Sequence, residues 1–302
     1  MASTSKIPAV VGLDIGGTRI KAVALSAGGG ESQTLGQFEG PSATQSGPQA
    51  VRRAAIAAVN QLRAEGLSIE SVGVGCAGSV DSHKGIVRTS PNFAAWKNVP
   101  LGGWLSEDLG VYACVNNDAN CAVFCEWKLG NAKGANNVVL LTLGTGIGGG
   151  LVLGGRLYRG STGTAGELGH FSIRADGIEC PCGNRGCFER YCSASALRER
   201  AGSFSAREIF SRASEPYFSN LVQTFLDDFK IGLTSLANIF DPDCILIGGG
   251  VANGLAHHFP MLESWLRQHA FPSVGESVRL RVTYFGNLSG AIGAALLSRE
   301  KD

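Results

Sequence analysis

VVGLDIGGTRIKAVAL (residues 10–25) and VVLLTLGTGIGGGLVL (residues 138–153) share one grammar: an apolar run, a Gly/Thr turn and a second apolar run. The first reads as a strand over 9–14, a turn over 15–18 and a strand over 19–25. Aliphatic and β-branched residues suit a half-buried pleated surface, and glycine supplies the turn. The second reads as a strand over 138–143, a glycine turn and a strand over 151–153. Two copies predict a duplicated core of βββαβα type, its two loops facing a shared cleft. Around them strands alternate with helices. Val51, Ala54, Ala55, Ala58 and Leu62 have helical spacing, predicting a helix over 49–65 that Gly66 stops. Further strands are expected at 72–76, 111–115, 244–247 and 278–284. Helices are expected at 101–109, from 118 to 129, and at 217–240, 255–269 and 289–298. This alternation is the signature of an α/β protein. Residues 154–190 lack periodicity and form a polar, cysteine-rich insert.

Composition narrows the function. The chain has 302 residues, enough for about two domains. Hydrophobic residues at 44%, charged residues at 17% and a net charge of +1 exclude a disordered chain. No basic cluster points to nucleic acid, and apolar runs such as 138–143 fall far short of the ~20 residues of a membrane span. The N-terminus, MASTSKIPAVVGLDIGG, has no signal core with a cleavage site. Nine unevenly placed cysteines then read as reduced thiols in the cytoplasm, with metal binding as their leading special use. Glycine, 43 residues, is about twice the usual ~7% and clusters at strand ends, as backbone built to approach a ligand does.

Four features carry chemistry. In Asp14-Ile15-Gly16-Gly17-Thr18, with Lys21 beyond, glycine lets backbone N–H groups approach an anion and Thr18 adds a hydroxyl. A carboxylate at Asp14 would repel phosphate unless a metal lay between, and hydrated Mg²⁺ fits; the plain reading is an Asx-type turn. The second turn, with Gly144, Thr145 and Gly146, contains G-x-G-x-x-G. A strand rather than a helix follows it, so it is no dinucleotide fingerprint. Two such cradles suit one polyphosphate held from both sides. A third group, Gly248 to Gly250, either passes under a nucleotide base or ribose or is an ordinary strand-to-helix turn. Asn116-Asn117-Asp118 ends a strand where a helix starts. Asp118 there is a helix cap, or a carboxylate that deprotonates a hydroxyl at the sheet edge where ligands collect. Lastly, His170 precedes Cys180, Cys182 and Cys187, a Cys₃His set for tetrahedral Zn²⁺ with no open position, hence structural. Glu167 and Glu189 flank it within reach of a polyol, and His170 has a second ring nitrogen for a ligand hydroxyl.

These residues resemble the ROK family of sugar kinases and repressors, within the actin/sugar kinase/heat-shock ATPase superfamily. The resemblance runs from Val10 to Leu297. It is most specific in Glu167-x-Gly169-His170 and Cys180-x-Cys182-Gly183-x-x-Gly186-Cys187-x-Glu189. The stretch Ser90-Pro91-Asn92-Phe93-x-x-Trp96-x-x-Val99-Pro100-Leu101 looks most like bacterial ROK glucokinases. The resemblance implies two ribonuclease-H-like α/β domains around a cleft, 1–117 with 288–302 and 118–287, the latter with a zinc loop over 170–187. It implies ATP and Mg²⁺ on Asp14, Gly16, Gly17, Thr18, Lys21, Gly144, Thr145, Gly146, Gly249 and Gly250. Asp118 would be the base toward a hexose 6-hydroxyl. Gly78, Asn92, Asn117, Glu167, His170 and Glu189 would join it in holding the sugar, and His170, Cys180, Cys182 and Cys187 would hold zinc. Glucose is the expected hexose; N-acetylglucosamine, N-acetylmannosamine, mannose and fructose are the alternatives, and a non-catalytic sugar-binding regulator is a further one. A homodimer is implied. The helix-turn-helix of the family's repressors has no room before residue 9. Arg190, after Glu189, is bulkier than a residue expected beside a sugar.

Overall fold

The structure, a computed structural model, describes residues 6–28, 32–90, 93 and 96–300. It divides into two compact units. One holds the chain up to Glu126, Arg159–Ala165 and the chain from Asn287; the other holds Trp127–Tyr158 and Gly166–Gly286. The join expected between 117 and 118 lies inside the first unit, at the start of a helix.

In the first unit the chain runs through β1 (Ile7–Ile15), β2 (Arg19–Ser26), β3 (Thr34–Pro41), α1 (Pro48–Ala64) and β4 (Leu67–Cys76). Three short strands follow, β5 (Ser79–Asp81), β6 (Ile86–Thr89) and β7 (Lys97–Val99), then α2 (Leu101–Leu109), β8 (Tyr112–Asn117) and α3 (Asp118–Lys128). The main sheet has the order β3-β2-β1-β4-β8. The first three strands are antiparallel, and β4 and β8 run parallel to β1. Val51, Ala55, Val59 and Leu62 of α1 cover one face over Val11, Leu13, Val72 and Val74. The C-terminal helix Ser289–Leu297 lies against β1 and β4. It comes so close that a Cβ at Gly12 or Gly73 would sit 1.8 Å from the carbonyl oxygen of Ala291 or Ala294. No side chain larger than hydrogen fits there.

The second unit runs through β9 (Val138–Leu143), β10 (Ile147–Leu153), β11 (Arg156–Leu157), α4 (Glu189–Cys192), α5 (Ala194–Ala201), α6 (Ala206–Ser211), α7 (Pro216–Phe240) and β12 (Cys244–Gly248). It ends with α8 (Ala252–Ala256), α9 (Phe259–His269), α10 (Pro272–Ser277) and β13 (Arg279–Val282). Its sheet has the order β11-β10-β9-β12-β13, again three antiparallel strands followed by two parallel ones. Strand for strand, order and sense match the first sheet, so the echo between 10–25 and 138–153 is a structural duplication. Phe225, Phe229 and Leu233 of α7 cluster with Val139, Leu141, Ile245 and Ile247. Among the described residues no helix is long and apolar enough to cross a membrane.

Some expectations need correcting. The glycine turn between β9 and β10 is shorter than read, because Gly148 to Gly150 lie within β10. A Cβ at Gly149 would meet the Gly166 carbonyl oxygen at 2.3 Å, so a neighbouring loop has taken the space of a side chain. The single helix over 255–269 is two helices. Pro260, within the first turn of α9, has no N–H to continue an earlier helix and disfavours helical backbone before it. The last strand stops at Val282 rather than 284.

Candidate active site and metal centre

In the first unit the β1–β2 turn closes with Gly16 N–H donating to the Arg19 carbonyl at 2.9 Å. At Gly17 a Cβ would meet nothing within 4 Å, so the backbone is open to a ligand. The turn is braced from behind. Ser42 N–H donates to the Thr18 carbonyl at 3.0 Å, and the Thr44 hydroxyl donates to the Gly17 carbonyl. No sequence motif marks Ser42 or Thr44 as supports of this turn. Asp14 and Lys21 face each other across the β1–β2 register, and Lys21 Nζ reaches the Asn287 carbonyl at 3.2 Å. Burial, then the nearby Asp118 carboxylate, push the Asp14 carboxyl up to about 6, with Lys21 offsetting part of the rise.

Asp118 opens α3 at the end of β8, and the larger share of the capping work falls to its neighbour. Asn117 Oδ1 accepts the N–H groups of Ala119 at 2.9 Å and Asn120 at 3.1 Å, while Asn117 Nδ2 donates to the Gly78 carbonyl at 3.2 Å. Asp118 Oδ1 accepts from Ala119 N–H at 2.9 Å, and its own backbone N–H and the Asn117 side chain also hydrogen-bond the carboxylate. Burial raises its pKa above the ordinary carboxylate range, against the lowering effect of these hydrogen bonds. Two carboxyl groups with raised pKa values thus share the end of this sheet, the condition that tunes an acid toward base work near neutrality. Gly78 (φ 110°) is fixed as glycine by the Thr89 carbonyl oxygen, 2.3 Å from where its Cβ would stand. Arg159, unread in the sequence, donates from Nε to Asn116 Oδ1 at 3.3 Å.

In the second unit, Gly144 and Gly250 leave open space where a Cβ would be. Gly249 is required by the protein itself, and at Gly146 any side chain would have to displace the Glu189 carboxylate. A Cβ at Gly146 would sit 2.1 Å from Glu189 Oε2, and one at Gly249 (φ 85°) 2.4 Å from the Leu143 carbonyl oxygen. Ile147 N–H donates to Glu189 Oε2 at 2.8 Å, Glu189 N–H to the Gly169 carbonyl at 2.9 Å, and Ala194 N–H to the Gly144 carbonyl at 2.8 Å. The second glycine turn, the loop bearing Glu167 and His170, and α4 are therefore one hydrogen-bonded assembly. Arg190 is directed to Glu199, with contacts of 3.4 Å.

His170, Cys180, Cys182 and Cys187 converge, their ligand atoms all within 4.8 Å of one another. His170 Nδ1 lies 3.6 Å from Cys180 Sγ, and Cys182 Sγ lies 3.6 Å from Cys187 Sγ. A tetrahedral ion with Zn–S bonds of about 2.3 Å needs sulfur–sulfur edges of roughly 3.8 Å, so the donor set fits zinc. The knuckle is held by Cys180 N–H to the Asn184 carbonyl at 2.8 Å and Gly183 N–H to the Cys180 carbonyl at 2.9 Å. The Asn184 backbone N–H holds the Cys182 thiol below its ordinary pKa, whereas burial pushes Cys187 up to about 12. A cation is what lets three adjacent thiols ionise together. The other imidazole nitrogen, Nε2, faces the Glu167 carboxylate at 3.9 Å. Of the remaining expected residues, Thr145 lies in the β9–β10 turn, and Asn92 lies outside the described residues.

Comparison with known proteins agrees with this architecture. A glucokinase of Streptomyces coelicolor is 33% identical over 320 residues, covering 97% of this chain and 98% of its own. The structure of a ROK family glucokinase from Streptomyces griseus in complex with glucose and AMPPNP is 30% identical and superposes with a TM-score of 0.83, over 97% of this chain and 100% of that one. The ROK hexokinase from Thermus thermophilus is 34% identical, with a TM-score of 0.81 over 96% and 98%. The model of the ROK family matches residues 10–301, and the chain belongs to that family.

Proposed function

We propose that this protein is an ATP-dependent hexose kinase that phosphorylates the 6-hydroxyl, with glucose as its substrate. The observation that carries the reading is Asp118: a carboxylate of raised pKa at a strand end, where Asn117 takes the larger share of the helix cap. Its support is the likeness of the chain, over almost its whole length, to a glucokinase that binds glucose and AMPPNP.

On this reading Asp118 takes the proton of the 6-hydroxyl as that oxygen attacks the γ-phosphorus of ATP. The bond from the γ-phosphorus to the β,γ-bridging oxygen breaks, and ADP leaves with the electron pair. Gly16, Gly17, Thr18, Gly144, Thr145 and Gly146 cradle the phosphates, Gly249 and Gly250 lie under the nucleoside, and Lys21 adds a countercharge. Asp14 would hold Mg²⁺, which supplies neutralising charge on the phosphates. Glu167, His170, Glu189, Asn92 and Gly78 hold sugar hydroxyls, and Asn117 steadies Asp118 and Gly78. Zinc on His170, Cys180, Cys182 and Cys187 would rigidify the loop and fix the ring of His170. The two compact units are the two domains of the kinase. Exposed Ile231 and Ile239 on α7 support a homodimer, and nine free cysteines support a reducing cytoplasm.

The test is ADP release from Mg-ATP with glucose, N-acetylglucosamine, N-acetylmannosamine, mannose and fructose in parallel. Turnover well above the blank with glucose is the expected result. Preference for another sugar keeps the kinase and changes its substrate. A flat panel with folded protein overturns the reading in favour of a sugar-binding regulator.

A further inference from the structure

We propose that Asp228 is a positioning residue for the metal loop, anchoring it through Arg174 and Arg200; the inference rests on the reading of the Cys₃His cluster as a zinc site. Asp228 lies on α7 with its side chain only 2% exposed. One carboxylate oxygen accepts from Arg174 through Nε at 3.1 Å and through Nη2, and the other accepts from Arg200 Nη2 at 3.0 Å. Both guanidinium groups lie over the ring of Tyr191, at 5.5 and 5.8 Å from its centroid. The Tyr191 hydroxyl accepts the N–H of Ile178 at 2.8 Å. One buried anion thus gathers the loop arm between His170 and Cys180, α4 and α5.

The arm leads straight to the ligands. Ile173 N–H donates to the Gly186 carbonyl at 2.8 Å. A Cβ on Gly186 (φ 70°) would stand 1.7 Å from the Arg174 carbonyl oxygen. The residue before Cys187 therefore rests on the backbone of Arg174, and Glu189 follows two residues after Cys187. Charge-assisted hydrogen bonds to a shared carboxylate are the strong kind, and this one holds a segment that has no helix or long strand of its own. The arginines are unequal. Arg174 is half exposed and Arg200 is 23% exposed. Without the carboxylate Arg174 has water to turn to, so the expected outcome is a loosened loop arm and not a lost fold.

The experiment is zinc release from the purified protein into a chromogenic chelator at 25 °C, with melting temperature and hexose KM measured alongside. Asp228→Asn and Arg174→Lys are each expected to speed release about tenfold, the scale on which outer partners of metal sites act, and to raise hexose KM more than ATP KM. Leu236→Ala, a buried change lower on α7, serves as a control that destabilises without touching the anchor. Release that stays at the wild-type rate in Asp228→Asn and Arg174→Lys overturns the proposal. So does a Leu236→Ala control that loses zinc as fast at matched melting temperature, since that assigns the effect to general stability. Wild-type protein that never carries zinc overturns the cluster reading itself, a result distinct from unchanged release.

Discussion

Glu189 Oε2 accepts the backbone N–H of Ile147 at 2.8 Å, beside a glycine, Gly146, whose Cβ would stand 2.1 Å from that oxygen. A carboxylate proposed to hold sugar is thereby fixed to the turn proposed to hold phosphate. On the proposed roles, that one short contact would register the substrate hydroxyl to the nucleotide, the orientation a phosphoryl-transfer site needs.

Gly146→Ala tests this coupling. The added methyl displaces the Glu189 carboxylate, and overpacking of this size costs about 1–3 kcal/mol. The variant is expected to fold and to lose at least about tenfold in kcat/KM for both substrates, since misplacement by about 1 Å costs up to ~10²-fold. Steady-state kinetics with each substrate varied in turn check it. A defect confined to ATP would mean that Glu189 does not serve the sugar.

Asn117 and Asp118 divide their labour, so their substitutions should separate. Asp118→Asn leaves the Asn117 cap in place and is expected to keep the fold and sugar binding while kcat falls by ~10²–10⁴. Asn117→Ala removes two accepted N–H bonds and the tie to Gly78, and is expected to cost about 1 kcal/mol of stability. Kinetics and thermal denaturation of both variants give the comparison. Turnover near wild type in Asp118→Asn removes it from the mechanism.

That division was not legible in the sequence. Asn-Asn-Asp at a strand end announces a cap, and which side chain serves it depends on rotamers that tertiary packing sets. The duplicated hairpins were legible because their aliphatic runs have one reading. Gly148 to Gly150 were misread as turn because glycine disfavours strands on its own account, whereas at Gly149 the close approach of Gly166 selects it. Strands β5 to β7, three or four residues each, are too short to show alternation. The convergence of His170, Cys180, Cys182 and Cys187 was legible, since Cys and His at that spacing have few other uses, but Asp228, which binds Arg174 and Arg200, lies far off in sequence.

The pH dependence follows from Asp14 and Asp118, both raised above the ordinary carboxylate value. A base must be ionised, so kcat/KM should fall as pH drops, on an acid limb lying above the usual ~3.9. For stability the sign is opposite. A carboxyl whose folded pKa exceeds its unfolded value binds more protons when folded, so stability is greatest below the unfolded value and declines as pH rises through the folded one. For Asp14 that window runs from 3.8 to about 6. Asp14→Asn should match the wild type near pH 4 and melt higher at pH 8 without ligands, while losing Mg-ATP turnover. Melting curves at the two pH values check it, and an equal shift at both would exclude the titration.

Cys182 is the exposed member of the Cys₃His set. Serine there keeps the shape and removes the thiolate, leaving a three-ligand site. Cys182→Ser is expected to hold much less than one zinc per chain by elemental analysis. The ring of His170 then loses the partner fixing Nδ1, and with it the orientation of Nε2 toward Glu167. Hexose KM should rise about tenfold, the scale of lost metal-site partners, with ATP KM changing less because the turn at Gly16 to Thr18 is braced independently by Ser42 and Thr44. Stripping zinc from the wild type with a chelator should reproduce the same split, and restoring zinc should reverse it in the wild type but not in the variant. Full zinc occupancy in Cys182→Ser would take Cys182 out of the ligand set.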